Sequence, residues 1–428
     1  MTFAPSPAPG IDRPAPDPAR PSHLLAALLL AAGGTAFGQA VQLEPVVTPA
    51  PAIVPTTADD AASTPAGATP GATRSAASAK AKPAARPAPK AKKKTSAARD
   101  DNAPDSVVYG RRDDVLAFAA QVAEDRGLDR AWVEQQLAGA RYQPGVARLI
   151  MPAPAGSAKN YAAYRARFIE PQRLRTGVQW WEAHEAELAD AQARWGVPPE
   201  LVASILGIES LYGRMTGGYR VLDALATLSF DFPSGRSDRS AFYRSELRAF
   251  LVWCALENRE ADSVRGSFAG AIGWPQFMPS NLLRYAVDFD QDRHVDLASG
   301  GADVIGSVAS YLATFGWQRD VPTHFEVLPP VDAQARAQLL APDIVPSFTT
   351  AQMRALGAEL PDAARAYDGK LALIELQNGA EPPTYVAGTS NFYVVTRYNW
   401  SSYYAMAVID LAAALKREKD LGAAARTR

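Results

Sequence analysis

The sequence predicts a mainly α-helical domain of the α+β class, with a small antiparallel β region near its end and a non-globular segment ahead of it. From DDVLAFAAQVAEDRGLDRAWVEQQLAGA (113–140) onwards, apolar residues recur three and four apart between Gly and Pro stops, which is the pattern of many short helices. Beyond about Val321, the segments THFEVLPP, KLALIELQ and PTYVAGTSNFYVVTRYN have the alternation and aromatic content of strands. Residues 41–105 are mostly Ala, Pro, Thr, Ser and Lys, which predicts a disordered tether.

Residues 1–40 resemble a signal peptide. The apolar run LLAALLLAAGG (24–34) is too short to span a bilayer, and the small-residue sequence TAFGQA that follows it suits cleavage near Ala40. No cysteine follows the run for lipid attachment, because the single cysteine of the chain is Cys254. We therefore expect an exported periplasmic protein that is not a lipoprotein, anchored in the membrane only if the leader stays uncleaved.

The tether carries charge of one sign. Residues 71–99 contain nine Lys and Arg and no acid, whereas the whole chain has a formal net charge of -1, so the remaining residues carry about -10. Such a tract most often solvates a linker. The alternative is weak contact with an anionic wall polymer or membrane surface.

The globular part is predicted over residues 106–420, with the small β region at about 321–397 and a short tail at 421–428. A helix-like stretch, TTAQMRALGAEL (349–360), interrupts the β region, and YYAMAVIDLAAALKREK forms the last helix. With 428 residues and 47% hydrophobic composition, the chain can bury a sizeable core. Cys254 lies on an apolar helical pattern and is expected to be a buried thiol.

The motif search gives little support to several kinds of chemistry. The four histidines are scattered without an HExxH pair, and no P-loop, dinucleotide-binding glycine motif or GxSxG elbow occurs. The sequence therefore contains no motif for a zinc site, a nucleotide-binding site or a serine nucleophile on a GxSxG elbow.

One acidic residue stands in an unusual place, in the sequence GIESLYGR. Glu209 follows the apolar run LVASILGI, and it shares a helical face with Ile205 and Val202. Gly196 is expected to end the preceding helix, and Gly213 to end this one. Glu209 therefore sits on a buried face near a helix C-terminus.

Both features of that position oppose ionisation of Glu209. Desolvation disfavours the charged form, and the negative end of the helix dipole repels a carboxylate. A carboxylic acid that keeps its proton near neutral pH is what general-acid cleavage of a glycosidic bond requires. The alternative is an ordinary helix-end acid paired with Arg214 or Arg220.

The segment GSFAGAIGWPQFMPSN (266–281) has a composition that suits a sugar. It places the neutral hydrogen-bonding groups of Ser267 and Gln276 among aromatic residues that include Trp274 and Phe277. Sugars present apolar ring faces and hydroxyl edges, so aromatic faces and neutral polar groups bind them well. A tightly packed helix junction would also explain the glycines.

Eight motifs occur in order between residues 160 and 412: YRARFI, GVPPELVASILGIES, YGRMTGG, LDALATLSFDFP, GSFAGAIGWPQFMPS, YAVDF, IGSVASYL and NFYVVTRYNWSSYYAMAV. Together they resemble the lytic murein transglycosylase B family of bacterial peptidoglycan-cleaving enzymes. The resemblance implies a lysozyme-like α core with a flanking α region and the small β region. Glu209 matches the single catalytic acid/base of that family.

The resemblance also implies a set of saccharide-contacting residues: Tyr164, Ser267, Gln276, Phe277, Tyr311, Tyr398, Asn399 and Tyr404. The paired arginines of the family are replaced by the insertion FPSGRSDRSAF, which leaves Arg236 and Arg239 as candidates. Asn281 stands where the family has Ser.

The implied reaction cleaves the β-1,4 bond between N-acetylmuramic acid and N-acetylglucosamine and closes a 1,6-anhydro ring, with no cofactor required for the chemistry. The expected partners are peptidoglycan glycan strands, with no nucleic acid, and the expected state is a monomer. Two alternatives stay open: a muramidase that admits water, and a non-catalytic peptidoglycan-binding scaffold.

The segment DFDQDRHVDLASGGAD (288–303) resembles an EF-hand loop, and the similar family is known for such a loop. Arg293 occupies the position that favours Gly, and Ser299 stands where a bidentate Glu usually closes the site. The pattern predicts Asp288, Asp290, Asp292 and the carbonyl of His294 as ligands of a structural Ca²⁺, and the resemblance to the family, which closes a lengthened loop with a later Asp, adds Asp303. The alternative is a solvated acidic turn.

Overall fold

The computed structural model describes residues 109–151, 159–235 and 237–426. The predicted signal peptide, the tether and the candidate Arg236 lie outside these ranges. Within the same ranges, no helix has both the length and the apolar character needed to cross a membrane.

The described part is mainly helical, as the sequence predicts. The helices are α1 (Asp113–Arg126), α2 (Arg130–Ala138), α3 (Pro144–Leu149), α4 (Tyr161–Ala166), α5 (Pro171–Ala183), α6 (Glu185–Trp195), α7 (Pro199–Ser210), α8 (Val221–Phe230), α9 (Ser240–Leu256), α10 (Pro279–Tyr285), α11 (Ala302–Thr314), α12 (Ala333–Leu340), α13 (Thr350–Ala355), α14 (Ser390–Thr396) and α15 (Ser402–Arg426). The strands are β1 (Tyr219–Arg220), β2 (Arg265–Gly266), β3 (His324–Glu326), β4 (Ala372–Asn378) and β5 (Glu381–Gly388).

Helix α7 forms the centre of the core. Gly196 ends α6 in the left-handed conformation, and Pro198 and Pro199 occupy the N-cap and first helical positions of α7, where a missing N–H costs nothing. Residues 201–208 are all buried, and α7 packs against α5, α6, α11 and α15. The apolar periodicity of the sequence therefore places the helix and its buried face correctly.

The end of α7 differs from the prediction. The helix stops at Ser210, and Leu211, Tyr212 and Gly213 follow in the left-handed region with φ of 49°, 53° and 79°. Non-glycine residues avoid this region unless surrounding contacts fix them. Here the buried Tyr212 ring stacks on Trp180 with centroids 5.8 Å apart, so packing ends the helix earlier than the glycine alone would.

The small β region contains a three-stranded antiparallel sheet in the order β3-β5-β4. Phe325 pairs with Ala387, and Ile374 pairs with Val386. Alternate residues of β4 belong to two hydrophobic clusters, with Ile374 in the main core and neighbouring Leu373 in a second cluster of this region. The sheet is therefore covered on both faces.

Two predictions in this region are wrong in part. The stretch NFYVVTRYN, predicted as a strand, forms α14, because the Thr389 side chain caps its N-terminus and Phe392 and Val395 become buried on one helical face. Helix α15 continues to Arg426, past the predicted boundary at residue 420. The helix predicted within 349–360 is present as α13, which begins with a capping box of Thr349 and Gln352.

Cys254 is buried in the main core on α9, as expected. Burial raises the pKa of its thiol to about 12. The thiol is therefore protonated near neutral pH.

We expect Gly213→Ala to destabilise the fold. A Cβ at Gly213 would lie 2.1 Å from the ring of Trp274, and the left-handed backbone adds strain of about 1 kcal/mol or more. Thermal unfolding should show a clear fall in Tm. Gly218→Ala is the matched control, because nothing lies within 4 Å of the added Cβ; equal Tm values for the two variants would contradict this account of the turn.

Candidate active site

Glu209 lies in the last turn of α7, partly buried among the apolar residues of that helix. The hydroxyl of Tyr404 donates a hydrogen bond of 2.6 Å to Glu209 Oε1. Burial raises the pKa of the Glu209 carboxyl to about 7, while the Tyr404 hydrogen bond acts in the opposite direction. A substantial fraction of the carboxyl group therefore carries a proton near neutral pH.

An aromatic cluster surrounds this carboxyl group. The rings of Tyr404 and Tyr398 are stacked with centroids 6.4 Å apart, Tyr398 and Tyr311 are 5.0 Å apart, and Phe277 contacts both Tyr311 and Tyr398. The cluster joins α11, α15, the α14–α15 turn and the loop after β2. Five predicted site residues, Glu209 included, are thus brought together.

The hydroxyl groups of two cluster members are bound to the backbone. Tyr311 donates to the carbonyl of Arg397 at 2.6 Å, and Tyr398 donates to the carbonyl of Pro275 at 2.7 Å. These bonds fix the ring orientations. Both residues therefore offer ring surface to a ligand more readily than a free hydroxyl group.

The loop after β2 holds its predicted polar residues through internal bonds. Ser267 Oγ accepts from the N–H groups of Ala269 and Ala271, at 3.3 and 3.0 Å. Gln276, with φ of 52°, donates through Nε2 to the carbonyls of Thr216 and Gly273, at 3.1 and 2.8 Å. Both side chains therefore shape the loop beside Glu209.

A buried acid that the sequence reasoning missed supports the far end of this loop. Glu246, 3% exposed, accepts from Ser280 N at 2.9 Å and from Ser280 Oγ at 2.7 Å. Its position could have been found, because Tyr243, Leu247 and Phe250 share its helical face and are all buried.

Burial, and after it the charge of the nearby Glu209, raise the pKa of the Tyr164 hydroxyl on α4 to about 12. Helix α4 is tied to α15, because Tyr161 Oη and Arg165 Nε both donate to Asp410, at 2.7 and 2.5 Å. No pattern in the sequence indicated these hydrogen bonds between α4 and α15. They hold Tyr164 at the rim of the aromatic cluster.

The remaining candidates lie at two places. Asn399 follows Tyr398 in the α14–α15 turn, where its carbonyl accepts from Ser401 N at 2.7 Å. Arg239 directly precedes α9, and its guanidinium lies 4.7 Å from the centroid of the Phe242 ring. The two candidates thus belong to separate loops.

The acidic loop (288–303) brings together oxygen atoms of Asp288, Asp290 and Asp303 within 4.8 Å of one another. Asp288 Oδ1 is buried without a hydrogen-bond partner among the described residues. Asp303 accepts from Phe289 N and Asp296 N, at 2.6 and 2.8 Å, so it joins both arms of the loop. An oxygen-only set with one unpartnered buried carboxylate oxygen fits a hard cation such as Ca²⁺.

Asp292 stands outside this cluster of carboxylates. Asp292 Oδ1 accepts from His294 N at 2.8 Å, and the His294 ring faces Glu257 at 3.3 Å. Arg293, at the position that favours Gly, adopts φ of 75°, and its N–H donates to Asp288 Oδ2 at 2.9 Å. The loop therefore makes its sharp turn without a glycine.

Trp274 connects the acidic loop to the end of α7. Its backbone N–H and indole Nε1 donate to the carbonyls of Leu297 and Ala298, at 2.8 and 2.7 Å. Its ring also packs against Gly213 and Gly300, so closely that a Cβ at either glycine would lie within 2.2 Å of it. Both loops thus contact the same indole.

Comparison with known proteins places this site in context. The transglycosylase SLT domain family matches residues 110–413. The membrane-bound lytic murein transglycosylase B of Escherichia coli strain K12 is 35% identical over 306 residues, which are 70% of this chain and 81% of that protein.

Two solved structures are also similar. The catenated lytic transglycosylase SltB1 from Pseudomonas aeruginosa has a TM-score of 0.66 and 37% identity, covering 73% of this chain and 99% of that one. The E. coli lytic transglycosylase Slt35, solved in complex with calcium, has a TM-score of 0.61 and 34% identity, covering 71% and 92%.

The helical, lysozyme-like fold and the buried acid in its aromatic surroundings define an enzyme of the lytic transglycosylase class. Since both the domain family and the E. coli relative match most of its length, the chain belongs to the lytic murein transglycosylase B family.

We expect Tyr404→Phe to move the ionisation of Glu209 to higher pH, because the lost hydroxyl is the group that lowers the pKa of the carboxyl. Carboxyl ¹³C NMR of glutamate-labelled protein would follow the titration. Tyr142→Phe, on a half-buried tyrosine of another region, is the control. A titration that stays in place or moves to lower pH in Tyr404→Phe would contradict the assigned hydrogen bond.

Proposed function

We propose that this enzyme cleaves the β-1,4 bond between N-acetylmuramic acid and N-acetylglucosamine in peptidoglycan and leaves a 1,6-anhydromuramoyl end. The carrying observation is the Glu209 carboxyl, whose pKa burial raises to about 7. The E. coli relative is named for action on murein, which supports glycan strands of the wall as the substrate.

In the proposed mechanism Glu209 acts first as an acid and then as a base. Its proton goes to the oxygen that leaves the anomeric carbon of N-acetylmuramic acid, and that carbon–oxygen bond breaks. The N-acetyl group of the same sugar stabilises the positive charge that develops on the ring. The ionised Glu209 then takes the proton of the C6 hydroxyl group, whose oxygen bonds to the anomeric carbon.

The surroundings of Glu209 support a single-carboxyl mechanism. Two-carboxyl glycosidases hold their second acid about 5–10 Å from the first. Burial and the Tyr404 hydroxyl are the causes of the shifted pKa of Glu209, and the charge of a second carboxylate from the described residues is not among them. The C6 hydroxyl of the substrate then replaces water as the nucleophile.

The aromatic cluster supports saccharide binding next to this acid. Rings locked by backbone hydrogen bonds, such as those of Tyr311 and Tyr398, provide flat apolar surfaces for the faces of sugar rings. Such fixed surfaces bind without a large loss of side-chain entropy. We infer a sugar-binding groove that runs past Glu209 along these rings.

We also propose that Asp288, Asp290 and Asp303 hold a structural calcium ion in the acidic loop. The orphaned Asp288 Oδ1 and the relative solved with calcium support this assignment. A bound cation would neutralise the repulsion among the carboxylates and take no part in bond cleavage. Asp303 lies in the first turn of α11, which carries Tyr311, so the loop and the aromatic cluster would be stabilised together.

The proposed substrate lies outside the cytoplasmic membrane, so the function requires export. The signal-peptide prediction for residues 1–40 meets that requirement, and we propose a periplasmic enzyme.

The chemistry is tested by Glu209→Gln, which keeps the shape of the side chain but cannot deliver a proton. We expect turnover of purified sacculi to fall by about two to four orders of magnitude. Mass spectrometry of wild-type products should find ends lighter by one water than hydrolysis gives. Glu200→Gln, in the first turn of the same helix and paired with Lys416, is the control and should keep its activity.

Other outcomes would overturn this function. Reducible product ends would indicate a muramidase, and full activity in Glu209→Gln would remove Glu209 from the reaction. A wild-type protein that binds sacculi without cleaving them would be a binding scaffold.

The calcium site is tested by thermal unfolding. A ligand that binds only the folded state raises Tm as its concentration increases. We expect millimolar calcium to raise the Tm of wild type but not that of Asp288→Asn, while Asp190→Asn, an exposed acid on α6, should respond like wild type. A wild-type Tm that neither calcium nor chelator moves would refute the site.

A further inference from the structure

A surface cavity of ≈ 550 Å³ lies between α12, β4, the α14–α15 turn and the segment before α4. We call it the edge cavity. Residues that line it include Lys159, Asp343, Ile344, Glu375, Trp400 and Tyr403. Its size is that of a site for a small ligand.

The edge cavity borders a gap in backbone pairing. β4 is the edge strand of its sheet, and its free edge is occupied at both ends. Leu371 exchanges hydrogen bonds with Phe348, at 2.7 and 3.1 Å, and the N–H and C=O of Gln377 both bond to the Tyr403 hydroxyl, at 2.9 and 3.1 Å. The part of the free edge between Leu371 and Gln377 is left without such hydrogen bonds to other described residues.

Alternation along an antiparallel strand sends the backbone groups of every second residue to the same edge. Leu371 and Gln377 face the free edge, so Leu373 and Glu375 between them do too, and both line the edge cavity. Among the described residues, no partner is found for their N–H and C=O groups at that edge. Backbone N–H and C=O groups that face a cavity are strong hydrogen-bonding groups, so the amide groups of a ligand can pair with them.

The cavity also carries one free charge of each sign. Lys159 and Asp343 are exposed, and neither makes an ion pair with another described residue. The Glu375 carboxylate, by contrast, is engaged by the Tyr385 hydroxyl at 2.5 Å. A backbone edge flanked by a cation and an anion is complementary to a short peptide that bears a carboxylate and an ammonium group.

The edge cavity lies next to the active site. Tyr164 and Tyr403 line it, with ring centroids 6.1 Å apart, and Tyr404, the next residue along α15, donates to Glu209. A ligand in the cavity would therefore lie beside the sugar being cleaved.

We propose that the edge cavity binds the peptide substituent of the glycan strand, with its amide groups paired to Leu373 and Glu375 and its charged groups near Lys159 and Asp343. This inference rests on the proposed function, because it assigns a second part of the same substrate. The gap spans only two outward-facing residues and is closed at both ends, which suits a short peptide and excludes a long strand from another protein.

The test compares full-length wild type with the double variant Lys159→Gln/Asp343→Asn on two substrates: glycan strands that carry peptides, and strands stripped of peptide by an amidase. Asn keeps the left-handed backbone of Asp343, which has φ of 53°. We expect kcat/KM on peptide-bearing strands to fall about fivefold, since two partly exposed charge contacts are lost. Cleavage of stripped strands should stay unchanged.

The double variant Asp368→Asn/Lys370→Gln, on exposed residues of the same β region, makes the same charge changes away from the cavity and should behave like wild type on both substrates. Equal loss on both substrates, or no loss on either, would overturn the proposal. Wild type that cleaves neither substrate would refute the proposed function instead.

A binding measurement distinguishes failure of the peptide-binding proposal from failure of the proposed function. Free stem tetrapeptide is titrated into full-length Glu209→Gln by calorimetry, with and without the cavity substitutions. Binding that the cavity substitutions weaken supports the proposal even without turnover. No binding, or binding that they leave unchanged, overturns it.

Discussion

The burial of one carboxyl group at the end of α7 is the constraint on which the rest of the site depends. Burial moves the pKa of Glu209 from an ordinary 4.5 to about 7, a difference worth roughly 3 kcal/mol between its protonation states. The folded chain thus holds this proton more tightly than the unfolded chain does. Its contribution to stability is present below about pH 4.5 and is lost as the pH rises towards 7. The core around α7 must be stable enough to tolerate that loss.

The aromatic cluster shows how the fold can keep such a group in place. Hydroxyl groups that a ligand could have used are bound to backbone carbonyls, and the Tyr404 hydroxyl alone among those of Tyr311, Tyr398 and Tyr404 is assigned to the acid. Rigid walls of this kind set the position of a substrate before it arrives. The cost is a set of long-range contacts that must all form in the folded state.

The sequence predicts the elements that follow from local patterns. Glycine and proline predict the end of α6 at Gly196 and the start of α7 at Pro199, and the spacing of apolar residues predicts the buried face of α7. Helix α14 could not be predicted, because its valines favour a strand, whereas the Thr389 cap and the burial of Phe392 and Val395 against the core stabilise a helix. The left-handed Leu211 also depends on packing that no local pattern reveals.

For the site, residue types were predictable but their bonds were not. That Ser267 and Gln276 contact a sugar stays a prediction, and what no local pattern indicated is that their side chains also form hydrogen bonds within their own loop. In the acidic loop, alternation indicated three aspartates, yet the carboxylates that converge are two of these and Asp303 from the following helix. Convergence of side chains from distant elements is a property of the fold. A linear pattern can suggest it only through resemblance to a known family.

The indole of Trp274 has an implication for how such enzymes could be recombined. It is hydrogen-bonded to the acidic loop, and its ring packs against Gly213 at the end of α7 and equally closely against Gly300 of the acidic loop. A backbone change in the acidic loop or in the turn at Gly213 would move the indole, and the other segment packs against the same indole. In a chimeric enzyme the two loops, the indole and both glycines would have to be exchanged as one block, although almost ninety residues separate the two glycines in the chain.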